Sequence, residues 1–442
     1  MLKLRKSKTQ KGITLIALII TIVVLLILAA VAISSITNEG ILQYAQNAAK
    51  DYNQAMANEQ QMLQQYVNFL NNGSTGSGST GGEGSGSGTG DESGTGGTTQ
   101  TVATVKNTVL STTANTEVYD EYGNKIVVPA GFKIRVDSTT NNADTVTEGI
   151  VIEDGTNGNQ FVWIPVGKIY TDTAKTEANA KTITLGRYVF ATGTTDYDGD
   201  GTNETAGEIV TSLSKTNPSD ELKLSSTASY NLTEGLKNST TENAHARDIE
   251  AFIASTDPTT GNGGYYIGRY EARTNNTTGR SSKTDSLTEM TTIKTNAVYN
   301  YVTQAQASSL AQGMYADGYK TDGTGTFSSD LINSYAWDTA IVFLQTFDNR
   351  ADKTTPYSRQ TSLNSSYEAT GTTTDVICNI YDMASNCYEW STETYSGATG
   401  PCVIRGSHSS AGSSTYTSSR GGISTSSASD NYSFRPLIYV GL

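Results

Sequence analysis

Residues 379–390, Asn379-Ile380-Tyr381-Asp382-Met383-Ala384-Ser385-Asn386-Cys387-Tyr388-Glu389-Trp390, carry the densest structural signal in the chain. Met383 and Trp390 are core types, while Asp382 and Asn386 suit a turn closed by side-chain-to-backbone hydrogen bonds. Outward from it, Val162 to Ile164 and Tyr266 to Ile267 are short β-branched and aromatic runs bounded by Gly and Pro, and so predict strands. Tyr335 to Leu344 has an apolar helical pattern. Arg405 and Arg435 follow, each suited to a buried fork onto carbonyls or a carboxylate such as Glu389.

Taken in order, five strings share one likeness: Phe161 to Gly167, Tyr265 to Glu271, Tyr335 to Ala340, Asn379 to Trp390, and Val403 to Gly406 with Phe434 to Pro436. Residues 150–442 resemble the formylglycine-generating-enzyme type of the C-type lectin fold. Enzymatic members of that family oxidise a client cysteine with a cysteine pair that binds copper, placed between the Arg-Gly pair and the final Phe-Arg-Pro. Here that interval, Ser407 to Ser433, holds no cysteine. The resemblance therefore implies the fold without the oxidase chemistry, and the expectation is a protein that is not an enzyme.

The same interval is built from Ser, Thr, Tyr, Gly, Asn, Asp and Arg, as antibody binding loops are. Ser407, His408, Ser409, Ser410, Ser413, Tyr416, Ser418, Arg420, Ser424, Asp430, Asn431 and Tyr432 are the candidate ligand-binding residues. It also resembles the variable C-terminal region of proteins diversified by retroelements. The plainer alternative is a polar loop that only covers the core. His408 among serines reads as a contact residue rather than a catalytic base.

Five basic residues precede Gly12, and Ile13 to Ile36 then runs without a charge until Glu39. A helix of that length, at ~1.5 Å per residue, spans a ~30 Å hydrocarbon core, with the basic flank kept in the cytoplasm. Lys11-Gly12-Ile13-Thr14-Leu15-Ile16 resembles the processing site of type IV pilin precursors, which implies cleavage after Gly12 and methylation at Ile13. Ala17 stands where that family has Glu, which counts against self-polymerisation. A secretory signal or plain anchor is the alternative. Residues 39–71 keep an amphipathic helical pattern, either a solvated stalk or a packing face for like helices. Residues 73–100 are nearly all Gly, Ser and Thr, a flexible coil spanning about 30 Å.

The chain has 442 residues and a net charge of −13, which disfavours nucleic acid as a partner. Its 25 tyrosines fit a loop-rich β-containing domain with Tyr in core and rim. Asp196, Asp198 and Asp200 with Gly201 match the first half of a calcium loop, but the twelfth position is Gly207, so an acidic hairpin tip is the alternative. Cys378, Cys387 and Cys402 allow one bridge, Cys387 to Cys402, or three buried thiols. Residues 168–262 and 272–330 look like polar insertions.

These readings add up to an α+β chain: a leader (1–12), a pilin-like transmembrane and stalk helix (13–72), a linker (73–100) and a lectin-type ligand-binding domain (101–442). The expected location is a cell membrane, single-pass, with the C-terminal domain outside, on a Gram-positive bacterium. The expected function is a displayed adhesin or receptor for an external protein, glycan or phage ligand. The alternative is a minor pilin or pseudopilin that joins other pilin-like subunits in a filament.

Overall fold

Two sheets carry most of the core. The first has six antiparallel strands in the order Phe327–Leu331, Pro436–Val440, Gly264–Gly268, Gln160–Pro165, Val151–Asp154 and Phe132–Ile134. The second runs Leu232–Glu234, Tyr388–Tyr395, Cys402–Arg405, Arg420–Ile423, and Tyr432–Phe434 pairs in parallel with Tyr388–Tyr395. The computed structural model describes residues 99–442 except 138–142, 197–200, 216–219, 224–231, 235–245, 276–278, 316–325, 396–398, 413 and 442.

The strands predicted at Val162 to Ile164 and Tyr266 to Ile267 are direct neighbours, with Tyr266 opposite Trp163 and Ile267 opposite Val162. Every residue of Gln160–Pro165 and of Gly264–Gly268 is buried, so Phe161 to Pro165 and Tyr265 to Ile267 read as unbroken apolar runs rather than alternations. Gly264 has a steric reason: a Cβ there would lie 2.3 Å from Trp163 Cζ2. The Trp163 and Tyr266 rings pack at 4.9 Å.

Four α-helices occur among the described residues: α1 (Val102–Val105), α2 (Ile249–Thr256), α3 (Gln304–Met314) and α4 (Ser334–Thr346). Asn333 caps α4, its side chain accepting from Ala336 N at 2.8 Å, and ten of the helix's thirteen residues are buried. Thr303 and Gln306 form a reciprocal capping box at the start of α3.

The structure corrects the expected fold class. Nineteen strands and four short helices make the described chain β-dominated, not an α+β molecule led by a long helix. No helix among the described residues is long and apolar enough to cross a membrane. The longest, α4, has 13 residues and so reaches ~20 Å against the ~30 Å needed. The single-pass membrane location and the pilin-like character drawn from it are corrected on that finding. The segments on which they rested, Gly12 and Ile13 included, lie outside the described residues, as do the stalk and nearly all of the linker.

The regions read as polar insertions also contribute core. Leu185, Tyr188 and Phe190 pack beside α4, and α2 inserts Phe252 against Tyr265 and Tyr439. Met290, Tyr299 and Val302 join Trp390 and Phe434 in a second cluster. Their apolar residues are spaced by long polar loops, which hides them from a window-based reading.

Candidate functional site

The Val376–Ile377 and Ile380–Tyr381 strands form a hairpin whose two central residues, Cys378 and Asn379, have φ of 45° and 64°. Positive φ at both centres is the type I′ turn that matches strand twist. Asp382 and Asn386 also take positive φ, 68° and 65°. Their side chains do not close a local turn as expected. They reach a separate loop: Asp382 Oδ2 accepts from Gly371 N at 3.0 Å, and Asn386 Oδ1 accepts from Glu368 N at 2.9 Å. Asn386 also accepts from Ser409 N through its carbonyl at 3.0 Å. One residue thus fastens both the 364–368 loop and the C-terminal loop to the start of the Tyr388–Tyr395 strand.

On that platform lies a row of half-buried rings. Tyr388 packs against His408 with centroids 4.6 Å apart and faces Tyr432 at 6.4 Å. Tyr432 in turn packs edge-on to buried Trp390 at 5.2 Å. Tyr388 Oη donates to Thr415 Oγ1 at 3.3 Å, and Thr415 shares a 2.7 Å contact with Ser407 Oγ. Tyr416 is covered by the Arg359 guanidinium at 3.5 Å. Burial lowers the His408 imidazole's affinity for a proton, and the Asp430 carboxylate partly restores it.

Beside the ring row opens a cavity of about 390 Å³, lined by Arg280, Asn300, Tyr367, Glu368 and Cys387 among others. Tyr367 is 38% exposed at its mouth. Asp430 joins the two features: its carbonyl accepts from Asn300 Nδ2 at 3.2 Å and from Cys387 Sγ at 3.6 Å. The volume sits at the lower end of the ~300–1,000 Å³ range of small-molecule sites.

Two buried ionic clusters support this face. Arg435 forks onto Glu389 at 2.6 and 3.0 Å. Behind it Glu271 accepts from Asn386 Nδ2 at 2.6 Å and from Cys387 N at 3.1 Å; burial, then Asp382 and Glu389, pushes its carboxyl well above the usual range. In the second cluster Arg187 meets Glu393 at 2.8 Å, Arg405 meets Asp338 at 2.5 Å, and Arg420 bridges Asp338 and Glu393. Burial opposes ionisation of Glu393, but Arg420, Arg187 and Arg405 together overcome it and hold its carboxyl at about 2.

The structure sorts the predicted binding residues. Ser410, Ser424 and Asp430 are exposed; His408, Tyr416, Ser418, Asn431 and Tyr432 are half-buried. Ser407 and Ser409 are buried, and the Arg420 guanidinium is committed to the ionic cluster with 5% exposure. Ser413 lies outside the described residues. Tyr388 and Tyr367 escaped the sequence reading. Tyr388 sits inside the 379–390 string, where its neighbours Met383 and Trp390 are core, and nothing local marks it as outward.

Asp196 is exposed and accepts from Gly201 N at 2.9 Å. Its proposed calcium partners Asp198 and Asp200 lie outside the described residues. Cys378, Cys387 and Cys402 are all free and buried, so the alternative of a Cys387 to Cys402 bridge is set aside. Burial pushes the Cys402 thiol up to about 12 and raises the other two further.

No family model matches the chain, and no curated protein matches it. Among solved structures, the structure of PvdO from Pseudomonas aeruginosa is similar at 11% identity and a TM-score of 0.33, covering 66% of this chain and 98% of that chain.

Proposed function

We propose that the chain is a non-catalytic ligand-binding protein, gripping a protein or glycan partner with its C-terminal loops and the ring row beneath them. The observation that carries this reading is the packing of Tyr388 against both His408 and Tyr432, all three half-buried, near an open cavity whose lining residues Asn300 and Cys387 both donate to the Asp430 carbonyl. Aromatic rings on a rigid strand offer a large contact area at low entropic cost, and the surrounding serines supply adaptable hydrogen bonds.

The local chemistry favours binding over catalysis. The three thiols are buried and pushed toward the protonated form, the wrong direction for a nucleophile. His408 Nδ1 accepts from Ser410 N at 3.3 Å, so this nitrogen is not held by a carboxylate as in a Ser-His-Asp triad.

The test is a saturation scan of positions 407–432, reading both folding and capture of ligands selected from a glycan array and a peptide-display library. Substitutions at Ser410, Ser424 and Asp430 should change capture while leaving the melting temperature within about 2 °C, whereas those at Ser407 and Arg420 should unfold the chain. Capture insensitive to every exposed position would overturn the proposal.

A further inference from the structure

A second cavity, of about 760 Å³, lies between α3 and the segment around residues 287–293. One wall is apolar: Leu287, Met290, Ile293, Leu310 and Met314. Leu287 is 42% exposed there, an apolar side chain left facing solvent. The opposite feature of the lining is Arg273.

Arg273 is the unusual member. Its Nε donates to Thr291 Oγ1 at 2.8 Å and one Nη1 proton goes to the Lys294 carbonyl at 3.0 Å. These two bonds fix the plane of the guanidinium, and among the described residues no carboxylate pairs with it. Its charge is partly desolvated, for burial lowers its proton affinity with no acid to offset it. Arg350, Arg405 and Arg435 are by contrast paired with acids, and both terminal nitrogens of Arg280 donate to carbonyls. Glu289 also lines the cavity, but it is exposed and forms no ion pair with Arg273.

We infer that this cavity binds a free amphipathic monocarboxylate: the carboxylate on the unused N–H groups of Arg273, and the alkyl chain along Met290, Ile293, Leu310 and Met314. A planar guanidinium with adjacent free N–H groups matches a carboxylate's two oxygens. One cation without a second basic neighbour in the lining fits a monoanion better than a phosphate dianion. The volume lies within the range of small-molecule sites. This site uses different residues from the ring row and does not rest on the proposed function.

The experiment is calorimetric titration of the intact chain with octanoate, 1-octanol and N-acetyl-leucyl-leucine. Octanoate should bind saturably at one site, with octanol at least tenfold weaker. Arg273→Gln should weaken octanoate at least tenfold, Arg273→Lys, which keeps the charge but loses the planar fork, should weaken it by a smaller factor that still exceeds about threefold, and thermal melts should show each variant folded. Absence of saturable octanoate binding, or equal binding of octanol, would overturn the inference on the wild-type chain alone, even if Arg273→Gln fails to fold. Unchanged octanoate binding in folded Arg273→Gln would also overturn it. N-acetyl-leucyl-leucine binding more than tenfold tighter than octanoate would replace the free acid with a peptide carboxyl terminus.

Discussion

Asn386 Nδ2 donates to the buried Glu271 carboxylate at 2.6 Å, while its Oδ1 accepts from Glu368 N at 2.9 Å. The pair ties the loop that carries Tyr367 to the strand that carries Tyr388. Asn386 stands at φ 65°, so Asn386→Gly keeps the backbone and deletes only the side chain. Leaving Glu271 and Glu368 N without their partner should cost about 3 kcal/mol. Urea denaturation checks this, and a loss under about 1 kcal/mol would show that the tie is incidental.

The Glu393 cluster predicts a larger loss. Glu393→Gln leaves Arg187, Arg405 and Arg420 with Asp338 as the remaining acid among the ion pairs that join them. Breaking one partner of a buried ionic set costs about 3–5 kcal/mol. The same group governs acid unfolding. Its folded value, about 2, lies below the ordinary 4.5, so its stabilisation is full above 4.5 and is lost as pH falls toward 2. Acid titration followed by circular dichroism should show that limb in the wild type.

Asp330 acts in the opposite sense. Burial raises its carboxyl from 3.8 to about 7, although Gln312, Arg247 N and Leu331 N bond to it and pull partly back. The folded chain therefore holds this proton more tightly than the unfolded chain. The stability it contributes is full below 3.8, declines as pH rises to about 7, and changes no further above that. Melting temperature should fall between pH 5 and 7, and Asp330→Asn should flatten that slope. An unchanged slope in the variant would assign the proton elsewhere.

The three thiols should be silent in the native state. Each is buried and its pKa raised, so the reactive thiolate is scarce and shielded. Iodoacetamide at pH 8 should label none in the folded chain and all three in urea, with mass spectrometry as the readout. Rapid labelling of Cys387 in the native protein would contradict its burial beneath the cavity it lines.

Much of the central architecture was legible because its signals are local. The Phe161 to Pro165 and Tyr265 to Gly268 runs and the α4 pattern are each set by a few adjacent residues. What escaped depends on distant pairs. Arg420 reads as a loop residue, yet it ends between Asp338 and Glu393, 82 and 27 positions away. Asp382 and Asn386 look like turn closers, but loops folded back from 368–373 claim their side chains. Tyr388 shares its string with core residues, and only its contacts with the distant His408 and Tyr432 place it in the half-buried ring row.

The most direct test compares ligand capture by the wild-type chain and by the double variant His408→Ala, Tyr432→Ser, on the same glycan array and peptide-display selections, with matched melting curves. The proposal predicts ligands that the wild type retains and the folded variant releases at least tenfold more readily. Ligands held equally by both, or none held by the wild type, would contradict it.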